Sequence, residues 1–188
     1  NIATTGTSAL TVAGTMSTAL NGAGNSGGIT LATADGNVVV NGAVSTGGAT
    51  VASTSSATAQ SGAIVVTAGT NGTISGTGSL ATGAAAVTSG VSGDTAAVGN
   101  ITLTANEINA NGTTTPFVVN FGTANGVAGT STAGQLIMTA DGTGTGGDIY
   151  ITSANPLTTG AVSTGAGALI NIATTGTSAL TVAGTMST

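Results

Sequence analysis

ITLATADG from Ile29, IVVTAGTNG from Ile64, ITLTANEIN from Ile101, LIMTADG from Leu136 and LINIATTG from Leu169 are versions of one segment. Aligned on Thr33, Thr67, Thr104, Thr139 and Thr174, they step by 34, 37, 35 and 35 residues. Within each, apolar residues alternate with small polar ones, the period of a half-buried strand. Each segment divides into three short strands, for example ITLATA, NVVVNGAV and GATVAST, separated by Gly, Asn and Asp. Helix formers are scarce, with one Glu and no Lys, so no α-helix is expected. Regular strands with Gly-rich corners at a fixed period predict an all-β chain, a parallel β-helix or β-solenoid.

Residues 1–18 and 171–188 are the same eighteen residues, NIATTGTSALTVAGTMST. The chain therefore reads as one 170-residue solenoid repeat, residues 1–170, followed by the start of an identical copy, residues 171–188. The expectation is an internal segment of a tandem array, each repeat burying its open end against the next. Five three-stranded coils of mean length 34 fill the period, and strands ~4.8 Å apart give an axial repeat near ~24 Å. One motif resists that register. GAVSTG occurs at 42–47 and 160–165, 118 residues apart, which is no whole number of 34-residue coils. Either the faces are quasi-equivalent and share motifs, or the coil is shorter, about 21 residues with eight to a period.

Composition removes whole classes of function. There is no Lys, Arg, His, Cys or Trp, and the formal charge of −5 comes from Asp35, Asp94, Glu107, Asp141 and Asp148. Without cations, phosphate neutralisation and therefore nucleic-acid binding are excluded, as is a polybasic membrane patch. Apolar runs of three to five residues are far short of the ~20 of a spanning helix, so no membrane insertion is expected. Without His, Cys or Lys, a base or activated nucleophile is lacking and no enzyme is expected. The 40% apolar content argues against disorder.

The expected core is Leu10, Val12, Ile29, Leu31, Val39, Ile64, Val66, Ile101, Leu103, Val118, Ile137, Ile149, Ile151, Ile170 and Ile172. Thr and Asn ladders between coils would add to it. Stacking also explains the scarcity of charge, because like charges one strand apart repel. In the turn after the Thr column stand Asp35, Gly69, Asn106, Asp141 and Thr175, with no two acids in succession. The competing architecture is a string of antiparallel sandwiches, since five Asn-Gly pairs are also hairpin signals.

GGITLATADGNVVVNGAV and NITLTANEINANG resemble the β-strand-repeat regions of filamentous-haemagglutinin-like exoproteins and giant bacterial surface proteins. That resemblance implies a right-handed parallel β-helix, export, and a place at or beyond the cell surface.

Weaker signals complete the inventory. Asp141-GTGTGG-Asp148 has the composition of a calcium β-roll turn but occurs once, leaving Asp141 and Asp148 as weak calcium candidates and no cofactor expected. Asn71, Asn100 and Asn111 head Asn-X-Thr sequons. Thr102-Leu103-Thr104 and Thr143-Gly144-Thr145 suit a flat Thr array for ice only if repeated in every coil. The expected function is a structural repeat of a long secreted or cell-surface fibre that self-associates end to end. The alternative is an adhesin array contacting glycans or another cell through corners such as 53–61 and 83–99.

Overall fold

The computed structural model of this chain describes residues 1–19, 24–88, 90–108, 117–142, 147–153 and 155–188, with only the backbone of Phe117. The described residues form strands, turns and bends, without a helix. The chain winds as a parallel β-solenoid. Its first coil carries β1 (Ile2–Thr4), β2 (Leu10–Val12) and β3 (Met16–Ser17). The second carries β4 (Ile29–Thr33), β5 (Val38–Val40), β6 (Ala43–Ser45), β7 (Ala49–Val51) and β8 (Thr58–Gln60). The third carries β9 (Ile64–Thr67), β10 (Thr73–Ser75), β11 (Ser79–Thr82), β12 (Ala85–Val87) and β13 (Thr95–Ala97). The fourth carries β14 (Ile101–Ala105), β15 (Glu107–Ile108), β16 (Phe117–Phe121), β17 (Ala124–Gly126) and β18 (Thr130–Thr132). Then the coils narrow, through β19 (Leu136–Ala140) and β20 (Ile149–Ser153), then β21 (Leu157–Thr164) and β22 (Ile170–Thr174). The chain ends on β23 (Leu180–Val182) and β24 (Met186–Ser187).

Two sheets carry the length of the solenoid. The front sheet runs β1-β4-β9-β14-β19-β21-β23, with β24 also on β21. The back sheet runs β2-β5-β10-β15-β20-β16-β11-β6-β3, with β22 on β20. In coils two to four the chain leaves the back sheet to make a side lobe of two three-stranded sheets, β7-β12-β17 and β8-β13-β18, before returning to the front. Every pairing between these strands is parallel. The Asn41-Gly42 and Asn71-Gly72 pairs are therefore solenoid corners, not hairpins; Asn125-Gly126 lies within β17, and the pairs at 21–22 and 111–112 fall outside the described residues. The parallel pairing excludes the antiparallel sandwich among the described residues.

Coil length follows the lobe. On the front sheet Ile29 pairs with Ile64, Ile64 with Ile101 and Ile101 with Leu136. These lobed coils are roughly 35 residues long, within the range of known solenoid repeats. The first coil, in which Ile2 pairs with Leu31, is shorter. Past the last lobe the chain returns sooner still: Leu136 pairs with Thr159 on the front and Ile149 with Ile170 on the back. The number of strands per coil therefore varies: wide coils have lobe strands and a split back strand, and narrow coils have one segment on each face.

Alternation puts one side chain in two inside. β4, β14, β19 and β20 each alternate buried and half-buried residues over five positions. The main core includes Leu31, Ile64, Ile74, Leu80, Ile101, Leu103, Ile108, Leu136, Met138, Ile149 and Ile151. Each fully buried aliphatic contributes roughly 1.5–3 kcal/mol. Leu10, Ile170 and Ile172 pack against it partly buried, and Val12 is 6% exposed. Three expected core residues face outward instead. Val39, Val118 and Ile137 are half-buried, while Val38, Val40, Val119, Leu136 and Met138 point in. Each error falls in a run of consecutive apolar residues, where alternation has no visible phase.

A second, smaller core of Ala49, Ala59, Ala85, Val87, Ala96 and Val98 fills the lobe. Phe121 touches both cores.

The threonine alignment holds over part of its length. Thr67, Thr104 and Thr139 are register partners. Thr33 is one position out of step: it pairs with Thr4, and Ala32 pairs with Thr67. Thr174 lies on the back sheet opposite Ser153, and the front-sheet partner of Thr139 is Ser163.

Candidate functional site

Three built features distinguish this surface from a plain stack of strands: the corners, the acids and the terminal strand edges. At the corner leading into the front sheet, Gly27, Gly62, Gly99 and Gly134 fall in successive coils. A Cβ on Gly62 would lie 2.1 Å from the Gly27 carbonyl oxygen, one on Gly99 2.3 Å from that of Gly62, and one on Gly134 2.7 Å from that of Gly99. Backbone thus stacks on backbone, closer than any side chain permits. Part of the chain's glycine content has this cause.

The same corner closes the waist between core and lobe. The Thr46 hydroxyl, buried, donates to the Gly62 carbonyl at 2.7 Å and accepts from the Gly83 N–H at 3.3 Å. One coil earlier, Thr18 makes the matching bonds to the Gly27 carbonyl and the Gly47 N–H, at 2.8 and 3.0 Å. Asn side chains stitch the outer corners. Asn37 Oδ1 accepts from the Thr73 N–H, Asn100 Oδ1 from the Gln135 N–H, and Asn155 Nδ2 donates to Asn120 Oδ1. Of these, the Asn120–Asn155 bond joins like residues, as in the expected ladders; the other two run from side chain to backbone.

The acids are dispersed. Asp35 is stacked under Gly69, whose Cβ would fall 2.3 Å from the Asp35 Cα. Asp141 is exposed after β19 and its N–H donates to the Ala105 carbonyl. Asp148 is half-buried at the start of β20, and its Oδ1 accepts the Leu169 N–H at 2.7 Å. The residues between them, 143–146, lie outside the description, as do the Thr143-Gly144-Thr145 stretch and the sequon at Asn111. Among the described residues, no group of three acids could hold a metal ion. Asn71 is exposed in its turn, whereas the Asn100 carboxamide is engaged.

Sequence reasoning missed the one acid pair that the fold creates. Ile108 pairs with Ile149, so Glu107 and Asp148, one position before each, stack in adjacent coils. Burial, and then the Asp148 carboxylate, raise the Glu107 carboxyl above its ordinary value. The step from Ile108 to Ile149 is wider than any other between paired strands, and this hides the pair in the sequence. Asp94 was also missed: it is 1% exposed in the lobe and its Oδ1 accepts the Ala57 N–H at 3.2 Å, tying coil three to coil two.

At the lobe, Ala52, Ser53, Thr54 and Thr88 line an open depression of about 540 Å³. Ser53, Thr54 and Thr88 belong to the corners 53–61 and 83–99, and Ala52 immediately precedes the first.

The two copies of the duplicated segment are both largely exposed and differ at particular positions: Ile2 is exposed and its twin Ile172 half-buried. Val12 is 6% exposed, and its twin Val182 is 50% exposed; Leu180 and Met186 are also exposed, at 40% and 41%. Both copies are paired on one side only, β2 and β3 by β5 and β6, and β23 and β24 by β21, so each leaves a strand edge open at its own end of the solenoid. Comparison of the chain with family models, with curated proteins and with solved structures finds no match.

Proposed function

We propose that this chain is a structural, non-catalytic repeat of a long secreted or cell-surface β-solenoid fibre, a filament, stalk or sheath. One observation supports this most directly. The duplicated segment stands at both ends of the solenoid, and each copy leaves a strand edge open with apolar side chains exposed, Ile2 at one end and Leu180, Val182 and Met186 at the other. A following copy of the same sequence would cover them, as in other solenoid arrays. The resemblance of ITLTA-type strands to filamentous-haemagglutinin-like exoproteins favours the same reading and a place outside the cell. A backbone bonded coil to coil, with no cysteine to oxidise, suits a durable extracellular material.

The test is self-association. Raised in concentration, the 188-residue chain is expected to join end to end through its open edges into filaments. Aligned material should diffract near ~4.8 Å along the filament axis. A protein that stays monomeric at high concentration counts against the fibre.

The depression at Ala52, Ser53, Thr54 and Thr88 favours a second reading, an adhesin array that contacts glycans or another cell through its lobes. Replacing the 52–56 corner by a short Gly-Ser turn should abolish attachment to cells or glycans in an adhesin. It should leave a passive fibre unchanged.

A further inference from the structure

Residues 1–18 and 171–188 are identical, yet they occupy opposite sheets. β1 is a front strand and its twin β22 is a back strand; β2 and β3 are back strands and their twins β23 and β24 are front strands. Five circuits carry the front sheet from β1 to β21, and half a circuit more reaches β22. The 170-residue period therefore spans five and a half coils.

The exchange is complete in its details. Around the first copy, the N–H groups of Asn41 and Gly42 both donate to the Val12 carbonyl, at 2.9 and 3.0 Å. Around the second, those of Ala183 and Gly184 both donate to the Thr159 carbonyl, at 3.0 and 3.2 Å. The front sheet at β21–β24 has thus taken on the kinked form of the back sheet at β2–β6. The glycine column at that kink continues as well. A Cβ on Gly184 would lie 2.2 Å from the Gly160 carbonyl carbon, and one on Gly42 2.0 Å from the oxygen of Gly14, the twin of Gly184.

We infer that the exposed edge of β22, β23 and β24 is the seat for the rest of the second copy of this sequence, of which residues 171–188 are the first eighteen, turned half a circuit round the solenoid axis. The occupant is specified by the first copy. The next copy's 29–33 segment covers β22 on the back face as β4 covers β1, and its 38–45 segment covers β23 and β24 on the front face as β5 and β6 cover β2 and β3. Successive lobes then project from alternating sides. Each repeat advances about 26 Å and the true period is about 53 Å, from strands ~4.8 Å apart. This inference rests on the array reading above.

Two experiments test it separately from that reading. The chain has no cysteine, so introduced pairs are the only thiols. Thr152 and Ala173 are register partners on the back sheet, Thr139 and Ser163 on the front. Oxidation should close Thr152→Cys with Ala173→Cys within one chain, and Thr139→Cys with Ser163→Cys, but should leave Ser163→Cys with Ala173→Cys open. Closure of the last pair in place of the first would overturn the half-circuit offset. In electron micrographs of a chain of two periods, residues 1–170 followed by 1–188, an elongated particle with lobes on opposite sides is expected. Lobes on one side of an elongated particle would overturn the inference and leave the fibre standing. Separate globules would overturn the fibre on which it rests, while the cysteine pairs still report the offset.

Discussion

Gly99→Ala should be among the most damaging single-methyl additions this solenoid can suffer. The added Cβ would lie 2.3 Å from the Gly62 carbonyl oxygen, 2.5 Å from its carbon and 2.7 Å from the Ala63 nitrogen. All three are backbone, so no side chain can swing aside. Ordinary carbon contacts begin near ~3.5 Å, so coils three and two must part locally by about 1 Å. The ladder bonds flanking that point, Ser61 N–H to Ala97 O and Ile64 N–H to Asn100 O, are both 3.0 Å long, and Gly99 N–H reaches Ser61 Oγ at 3.0 Å. Opened by an ångström, they leave hydrogen-bonding range. Two or three bonds at about 0.5–1.5 kcal/mol each, with overpacking of about 1–3 kcal/mol, give a loss of about 2–7 kcal/mol. Even a loss of ~3 kcal/mol, in the lower half of that range, should lower the melting temperature by about 6–12 °C for a chain of this size.

Gly14→Ala is the matched control. Its Cβ meets nothing within 4 Å, and its φ is not left-handed. It should be neutral, or stabilising by about 0.4–1 kcal/mol through the unfolded chain. The chain has no Trp, so far-UV circular dichroism is the suitable probe of thermal and urea unfolding. If Gly99→Ala melts within a degree of Gly14→Ala, backbone contact at the corners is not what fixes glycine there.

Three further outcomes follow from the same geometry. Glu107 binds its proton more tightly in the folded chain than in the unfolded one, because of burial and then Asp148; stability is therefore greatest below the ordinary carboxyl value and falls as pH rises through the raised one. Glu107→Gln should flatten that fall in urea titrations across pH and leave the variant the more stable form at neutral pH. Thr46→Val leaves the Gly62 carbonyl and the Gly83 N–H without the hydroxyl that joins them, and should cost about 1–3 kcal/mol in urea unfolding, with Thr46→Ser restoring most of it. Val12→Ala should cost about 2 kcal/mol, whereas Val182→Ala, the same change in the exposed twin, should cost less than about 1 kcal/mol by hydrogen exchange of the terminal coils.

The alternation of Ile29-Thr30-Leu31 and Ile101-Thr102-Leu103 was enough to read strands and their inward side, because period two leaves one arrangement for a strand with one buried face. The spacing of those segments was enough to read the wide coils, roughly 35 residues each. Alternation failed at Val38-Val39-Val40 and Leu136-Ile137-Met138, where apolar residues on both faces erase the phase. Coil length misled the alignment past Thr139: once the lobe is dropped, the chain returns early, from Leu136 to Thr159, so Thr174 arrives on the other face. The lobe left only Ala-rich segments such as Ala84-Ala85-Ala86, whose small side chains pack two sheets without marking themselves as core. The Glu107–Asp148 pair was beyond reach because it depends on the one unusually long step, from Ile108 to Ile149.

Both coil lengths suggested by the sequence are real, each in its own part of the period, and their coexistence is what lets the faces trade places. In the wide coils the lobe leaves the back sheet and returns to the front, so the two faces of one coil are inequivalent. In the narrow coils one segment on each face closes the circuit, Leu136 to Thr159 on the front and Ile149 to Ile170 on the back, and nothing but the side chains tells front from back. The motif GAVSTG serves on either face, at 42–47 in a wide coil and at 160–165 in a narrow one. Val44 lies inward on the back sheet and Val162 inward on the front, three and a half coils later. Residues 171–188 lie among the narrow coils, and that is where the half-integral offset between the two copies is completed. Inserting a lobe-length segment between Ser153 and Leu157 would make the two faces distinct at the exchange point. The expected consequence is that the terminal copy no longer pairs with β20 and β21, seen as loss of the Thr152–Ala173 cross-link.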